Sequence, residues 1–175
     1  MRVAAVLIVF VLLVACTGKP GPNDVLLSDQ DLNLEEFFDG RLKAYGQFQD
    51  VFGTVRRRFI VDIEGTWDGE TLRLIEDFVY EDQSTERRIW SLEKTGPETW
   101  KGTAPGVIGV ATGEERGDTF NWRYEIDLPV PDGTLRVTFD DWMWLLGETR
   151  LLNRAYMKRF GVDIGEVIIT FEKLR

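Results

Sequence analysis

The 175-residue chain contains no histidine. That absence removes Ser-His-Asp and Cys-His catalysis, histidine-ligated zinc and histidine proton shuttles. There is one cysteine, Cys16, so the chain can form no internal disulfide; a disulfide-stapled secreted domain would carry an even set. Any metal site would be all-oxygen, and no EF-hand spacing is present. G-x-S-x-G elbows and phosphate-binding P-loops are also missing. Gly106, Gly109 and Gly113 have no diagnostic spacing and read as turns and strand bends. No cofactor is expected. Basic charge is scarce: 21 Lys+Arg stand against 30 Asp+Glu, a net charge of −9. Such a balance opposes nucleic-acid binding and adhesion of the domain to anionic headgroups. Internal repeats are absent. The one long apolar run, residues 3–14, is shorter than the roughly 20 residues of a spanning helix.

That run is what the chain does have at its start. Met1-Arg2 gives a short positive end, the apolar stretch follows, and Ala15 closes it ahead of Cys16. The order of charge, apolar core and small residue is that of a secretory signal, with an uncleaved anchor or a buried helix as the alternative. Leu13-Val14-Ala15-Cys16 resembles the lipobox of bacterial lipoproteins. The resemblance implies cleavage before Cys16, a diacylglyceryl thioether on its sulfur and an acyl chain on the new amine. Each buried methylene contributes about 0.8 kcal/mol, so one chain holds marginally and two or three hold durably. Cleavage takes away Arg2 and no acid, leaving 20 basic against 30 acidic residues, or −10. It also leaves the mature domain without a free thiol. In Gram-negative lipoproteins an aspartate after the cysteine signals inner-membrane retention; Thr17 therefore implies an outer-membrane lipoprotein facing the periplasm.

The chain divides into a signal peptide (1–15), a lipidated cysteine with a flexible tether (16–33) and a single domain (34–175). Residues 17–28 are rich in Gly, Pro and polar side chains at their start. Fully extended, a dozen residues reach about 40 Å, enough to hold the domain off the lipid surface. Leu34-Glu35-Glu36-Phe37-Phe38 reads as a short helix or turn able to plug one end of the domain. From there the hydrophobic period is mostly two, which argues strands. The alternation predicts strands at 41–49, 55–64, 71–81, 87–94, 99–104, 107–112, 119–128, 134–144 and 162–173, with 151–160 ambiguous between strand and helix. Turn signals fall between them at hairpin spacing, among them Trp67-Asp68-Gly69, Asp82-Gln83-Ser84 and Pro131-Asp132-Gly133. Eight to ten antiparallel strands in one short all-β domain point to a closed up-and-down barrel or a sandwich.

Three charged residues interrupt apolar faces. Arg57 lies between Val55 and Phe59, Glu76 between Leu74 and Phe78, and Arg88 two before Trp90. If those faces point inward they form a pocket with aromatic walls (Trp90, Trp122, Tyr124) and a few convergent polar groups. The structural alternative is an Arg–Glu pair that satisfies itself. Phe139-Asp140-Asp141-Trp142-Met143-Trp144 is the densest cluster, with Asp140 and Trp142 as candidates for a ligand-touching rim. Adjacent carboxylates on a strand point to opposite faces. They form no acid/base pair by spacing, and tryptophans more commonly fill the core.

The pieces Glu76-Asp-Phe-Val-Tyr80, Arg88-Ile-Trp90, Asn121-Trp-Arg-Tyr124, Phe139-Asp-Asp-Trp-Met143, Asn153-Arg-Ala-Tyr-Met157 and the closing Phe160-Gly161 to Phe171 resemble the bacterial lipoprotein family of domain of unknown function 3833. The resemblance spans about residues 34–173. It implies a lipocalin-like antiparallel up-and-down barrel and brings no activity with it. The expected role is a lipid-anchored barrel that binds a small apolar or amphipathic, lipid-like molecule. A filled barrel serving envelope structure is the second expectation. The third is a hydrolase built on carboxylates, such as Glu76 or Asp140 with Asp141.

Overall fold

A computed structural model describes residues 18–27, 29–130 and 133–174. One short helix, α1 (Leu34–Phe38), precedes ten strands: β1 (Gly40–Asp50), β2 (Val55–Trp67), β3 (Thr71–Tyr80), β4 (Thr85–Lys94), β5 (Thr99–Thr103), β6 (Val107–Arg116), β7 (Thr119–Val130), β8 (Gly133–Gly147), β9 (Arg150–Arg159) and β10 (Val162–Lys173). Each strand pairs antiparallel with the next, and β10 returns to β1, so the sheet closes into an up-and-down barrel. Closure makes every strand alternate between lumen and outside. The alternation in the sequence marks that division. On β3, for example, Leu72, Leu74, Phe78 and Tyr80 are buried while Arg73 and Val79 are exposed. The ambiguous segment is strand, β9, because Leu151, Asn153, Ala155 and Met157 complete the inner face. Turn residues Pro131 and Asp132 lie outside the described residues.

The two ends of the barrel differ. At one end α1 lies across the opening. Five residues cannot hold a helix by their own hydrogen bonds, so the barrel holds this one. The Leu34 N–H donates to Glu115 (2.6 Å). Lys94 bonds Glu35, and Lys173 bonds the Glu36 carbonyl. Phe38 packs edge-on against Phe171, ring centroids 5.4 Å apart. Gly65 makes this approach possible: a Cβ there would stand 1.8 Å from the Phe38 carbonyl oxygen. Trp100, Phe120, Leu42, Leu72 and Leu151 fill the space beneath. The expected plug is thus observed, and it seals this end with apolar packing.

The opposite end, formed by the β1–β2, β3–β4, β5–β6, β7–β8 and β9–β10 connections, has no such plug. The wall is also notched there. β4 pairs with β5 only from Ser91 to Lys94, because β5 is five residues long and the chain turns at Pro105-Gly106. Thr85 to Trp90 consequently lack a strand partner on that side.

Residues 18–27, expected within a free tether, lie along the outside of the barrel. Near the open end Lys19 pairs with Asp163 (2.5 Å) and sits over the Tyr156 ring. Toward the plugged end the Leu27 N–H donates to Asp118 (2.6 Å), the Leu32 N–H donates to the Gly117 carbonyl, and Leu26 rests on Gly117. This strap runs the length of the wall. Cys16 lies outside the described residues.

Candidate functional site

The barrel is hollow above its plug. A cavity of about 690 Å³ runs from Leu34 and Phe38 at the floor to Phe48, Pro129, Val130 and Ile164 near the open end. That volume falls within the range of about 300–1,000 Å³ typical of small-molecule pockets. The floor and walls are largely apolar, and aromatic side chains form two groups in the wall. Tyr124 stacks on Phe139 with centroids 5.2 Å apart, and Trp90 stands edge-on to both Tyr124 (5.2 Å) and Trp122 (5.7 Å). Phe59, Phe78 and Tyr80 form a second group, with spacings of 5.6 to 6.0 Å. Trp122 lies flat over small residues of the neighbouring strands. A Cβ on Gly113 would meet it at 2.4 Å, and one on Gly102 at 2.9 Å. The glycines of β5 and β6 therefore make room for the ring, which is a packing role that spacing alone does not disclose.

Polar groups enter this lining along β2, β3, β4 and β8. Near the mouth, Arg57 lies over the Tyr80 ring, its guanidinium carbon 3.3 Å from the centroid, and donates to the Ser84 hydroxyl (3.1 Å). Tyr80 donates its hydroxyl to Glu86 (2.7 Å), and Arg88 donates to the other oxygen of Glu86 (2.6 Å). Burial works to raise the Glu86 carboxyl, but the Arg88 charge and these two hydrogen bonds hold it below the ordinary carboxylate range. Burial also raises Tyr80, helped by Glu86.

Deeper in the cavity the balance reverses. Glu76 faces Arg88 directly across the β3–β4 ladder. It has no hydrogen bond to any described residue. Burial pushes its carboxyl up to about 7; Arg88 opposes the rise and Glu86 adds to it. Asp141 is pushed up to about 8, chiefly by burial and then by Asp140, while the Tyr124 hydroxyl hydrogen-bonded to it opposes the rise. One Asp141 oxygen, Oδ1, is buried without a partner. Orphaned polar groups in a lined cavity call for an explanation. A ligand polar group would supply the missing partner.

Six of the eight ligand-site residues expected from the sequence line this cavity: Arg57, Glu76, Arg88, Trp90, Trp122 and Tyr124. Asp140 and Trp142 do not. The inner face of β8 is carried by Val137, Phe139, Asp141, Met143 and Leu145, so residues of the other parity point outward. Asp140 accepts hydrogen bonds from Asn121 (2.9 Å) and Arg123 (3.0 Å) on the outer wall. Trp142 lines a shallow outer depression of about 70 Å³ with Gly21, Pro22, Asp24 and Leu26 of the strap. Its burial comes from the strap and not from the lumen. Glu86 is the site residue that the sequence reading passed over, and Asp141, read there only as a candidate acid of a hydrolase, also lines the cavity. Extending the β4 alternation by one step, or reading the β8 stripe from Val137, reaches them. Among the described residues no group of three or more Asp, Glu, His or Cys is arranged to hold a metal ion. No helix among them is long and apolar enough to cross a membrane.

The barrel resembles that of the S-type phycobiliprotein lyase CPES from Guillardia theta. The TM-score is 0.60 at 13% identity, over 82% of this chain and 94% of that one. A redesigned β-barrel, mFAP1, bound to DFHBI, aligns over 79% of this chain and 97% of its own at a TM-score of 0.43 and 8% identity. The likeness to the lyase concerns the fold alone, which is lipocalin-like. No curated protein sequence matches the chain. The family Protein of unknown function (DUF3833) matches residues 10–173. With nearly its whole length matched, from the apolar segment through the last strand, the chain belongs to the DUF3833 family.

Proposed function

We propose that this chain is a lipid-anchored envelope protein whose barrel holds one amphipathic, lipid-like molecule. The observation that carries the reading is the cavity itself: some 690 Å³, largely aromatic and aliphatic from floor to mouth, with a few polar groups such as Arg57, Glu76, Glu86, Arg88 and Asp141 set into that lining. An apolar chain would bury against Phe38, Ala44, Val61 and Phe78, and a polar head would lie toward the mouth. Arg57 is the cation there with no carboxylate hydrogen-bonded to it among the described residues, where it contacts Tyr80 and Ser84. Arg88 is already held by Glu86 and serves chiefly to keep Glu86 ionised. The neutral forms of Glu76 and Asp141 would donate to an ester or carboxyl oxygen of the ligand.

The test is mass spectrometry of the full-length protein released gently from membranes. A co-purifying amphipathic molecule at one per chain supports the reading, and an empty barrel overturns it. Arg57→Ala should weaken binding of a fluorescent fatty acid about tenfold, since a hydrogen bond to a charged group contributes about 1.5–3 kcal/mol. Unchanged affinity would remove Arg57 from the head-group site.

Anchoring is part of the same proposal. Cys16 would carry the lipid, placing the barrel at the periplasmic face of the outer membrane. Growth with an alkyne-tagged fatty acid should label the wild-type chain and leave Cys16→Ala unlabelled. Equal labelling would reject the lipobox.

A further inference from the structure

The open end of the barrel carries side chains that folding does not ask for. Phe52 sits at the tip of the β1–β2 turn and is 89% exposed; Phe160 sits at the β9–β10 turn and is 91% exposed. Because β1 pairs with β10, these two tips are neighbours on the rim. Val51, Val55 and Val162 beside them are exposed as well. Phe160 is placed at a cost, since its φ is +50°, the left-handed region where Gly and Asn are at ease and a bulky residue is strained. A large apolar side chain here is penalised by the backbone and by water together.

Charge on this rim runs against the acidic whole. Arg56, Arg57 and Arg58 begin β2, and Lys158 and Arg159 end β9. The acids nearby are already engaged. Asp50 takes Arg56 and the N–H groups of Phe52 and Thr54. Glu81 accepts from the Arg58 N–H, Asp82 from Ser84, and Asp163 pairs with Lys19. Among the described residues Arg58, Lys158 and Arg159 have no carboxylate partner, while Arg159 lies over the Phe160 ring (5.1 Å). Exposed aromatics set among free Arg and Lys are what a membrane interface takes up, the rings entering the headgroup region and the cations meeting anionic lipid. The strap adds an independent constraint. Its Lys19 is fixed to Asp163 at this end.

We infer that the rim carrying Phe52, Phe160, Arg58, Lys158 and Arg159 docks on a bilayer surface containing anionic lipid, so that the barrel sits mouth-down on the membrane. The orientation rests in part on the lipid-anchor reading, but the rim's own chemistry does not. Mouth-down docking lets a lipid-like molecule pass between bilayer and cavity without crossing water. The net charge of −9 then belongs to the wall and the plugged end.

The test uses the full chain reconstituted in vesicles of phosphatidylcholine with a minority of phosphatidylglycerol. A nitroxide is attached at Val51→Cys on the rim or at Glu148→Cys on the plugged end, and the chain without an added cysteine serves as the labelling blank. Collision with oxygen, which concentrates in lipid, is compared with collision with a water-soluble nickel chelate. The expected result is a several-fold higher oxygen-to-nickel ratio at the rim than at the plugged end. Combining Phe52→Ser with Phe160→Asn should bring the rim ratio down to the plugged-end value. Asn suits the left-handed turn, so the melting temperature of that variant should hold or rise, which separates lost docking from lost folding. Equal ratios at both ends would overturn the inference. So would a rim shielded equally without vesicles in a chain that runs as a dimer, because a second copy would then cover it. The bound molecule is counted in the same preparation. An immersed rim on an empty barrel would sink the cavity reading alone, and a loaded barrel with a wet rim would sink this one alone.

Discussion

Glu76 and Asp141 occupy places where a carboxylate is costly to keep charged. Folding raises Glu76 from 4.5 to about 7 and Asp141 from 3.8 to about 8, burial being the main cause for each. The folded state therefore binds protons that the unfolded chain has released. Stability from these two groups is fully present below their unfolded values, falls as pH rises, and is gone above about 8. Paired surface carboxylates such as Asp77 and Asp127 are shifted the other way, so their contribution is lost only in acid. Glu76→Gln should melt with the wild type at about pH 5 and be more stable at about pH 9, by at most roughly 3 kcal/mol. Parallel melting curves at both values would show that Glu76 titrates normally. The same protons govern ligand charge preference. With both acids neutral, Arg57 and Arg88 outnumber Glu86 in the cavity; with both ionised, the acids outnumber the arginines. A fatty-acid anion should then bind more tightly in mild acid than in mild base, and a pH-independent Kd would contradict this. At this scale the sequence was legible where a charge interrupted an apolar stripe, as at Arg57, Glu76 and Arg88. It was illegible at Asp140 and Asp141, because the strap buries Trp142 from outside and gives β8 two apolar-looking faces.

Strand and helix follow different causes in this fold. The strands were readable because closure puts one whole face of each into the lumen, which writes a period of two into the chain. Even the weak segment at 151–160 obeys it once Asn153 is admitted as an inner residue, its amide donating to the Trp142 carbonyl (3.1 Å). The exact ends were less readable. β6 runs to Arg116 and β8 to Gly147, beyond the apolar alternation, because strand pairing with β7 and β9 extends them. The helix depends on the barrel's rim and not on its own sequence. Phe38→Ala should cost about 3–5 kcal/mol, as for other buried aromatics, and open the floor of the cavity. A loss much smaller than this, by urea denaturation, would mean that Phe38 is not the seal. Gly113→Ala places a methyl against Trp122 and Phe120 and should cost about 1–3 kcal/mol through overpacking. A neutral outcome would mean that β6 can move outward.

The molecule as a whole is polarised along the barrel axis. One end is packed with aromatic and aliphatic side chains under α1, and the other opens on a cavity through a rim of exposed phenylalanines and basic side chains. Lys19 of the strap is tied to the open end. None of this axial order is written in local periodicity. It arises from which turns fall at which end, and the overall charge of −9 conceals it. The hollow interior was equally hidden, since alternation fixes which residues face inward but not whether they meet across the lumen. Ten strands around a one-sided plug leave the space that the proposed function needs. Ala155 is a small residue on that wall. The measurement that bears most directly on the cavity is therefore binding stoichiometry of a fluorescent fatty acid to the wild type and to Ala155→Trp, which fills the lumen, each checked by its melting curve. One molecule per wild-type chain, and none on a folded Ala155→Trp chain, is the expected result. Equal binding by both would place the ligand outside the barrel and contradict the account.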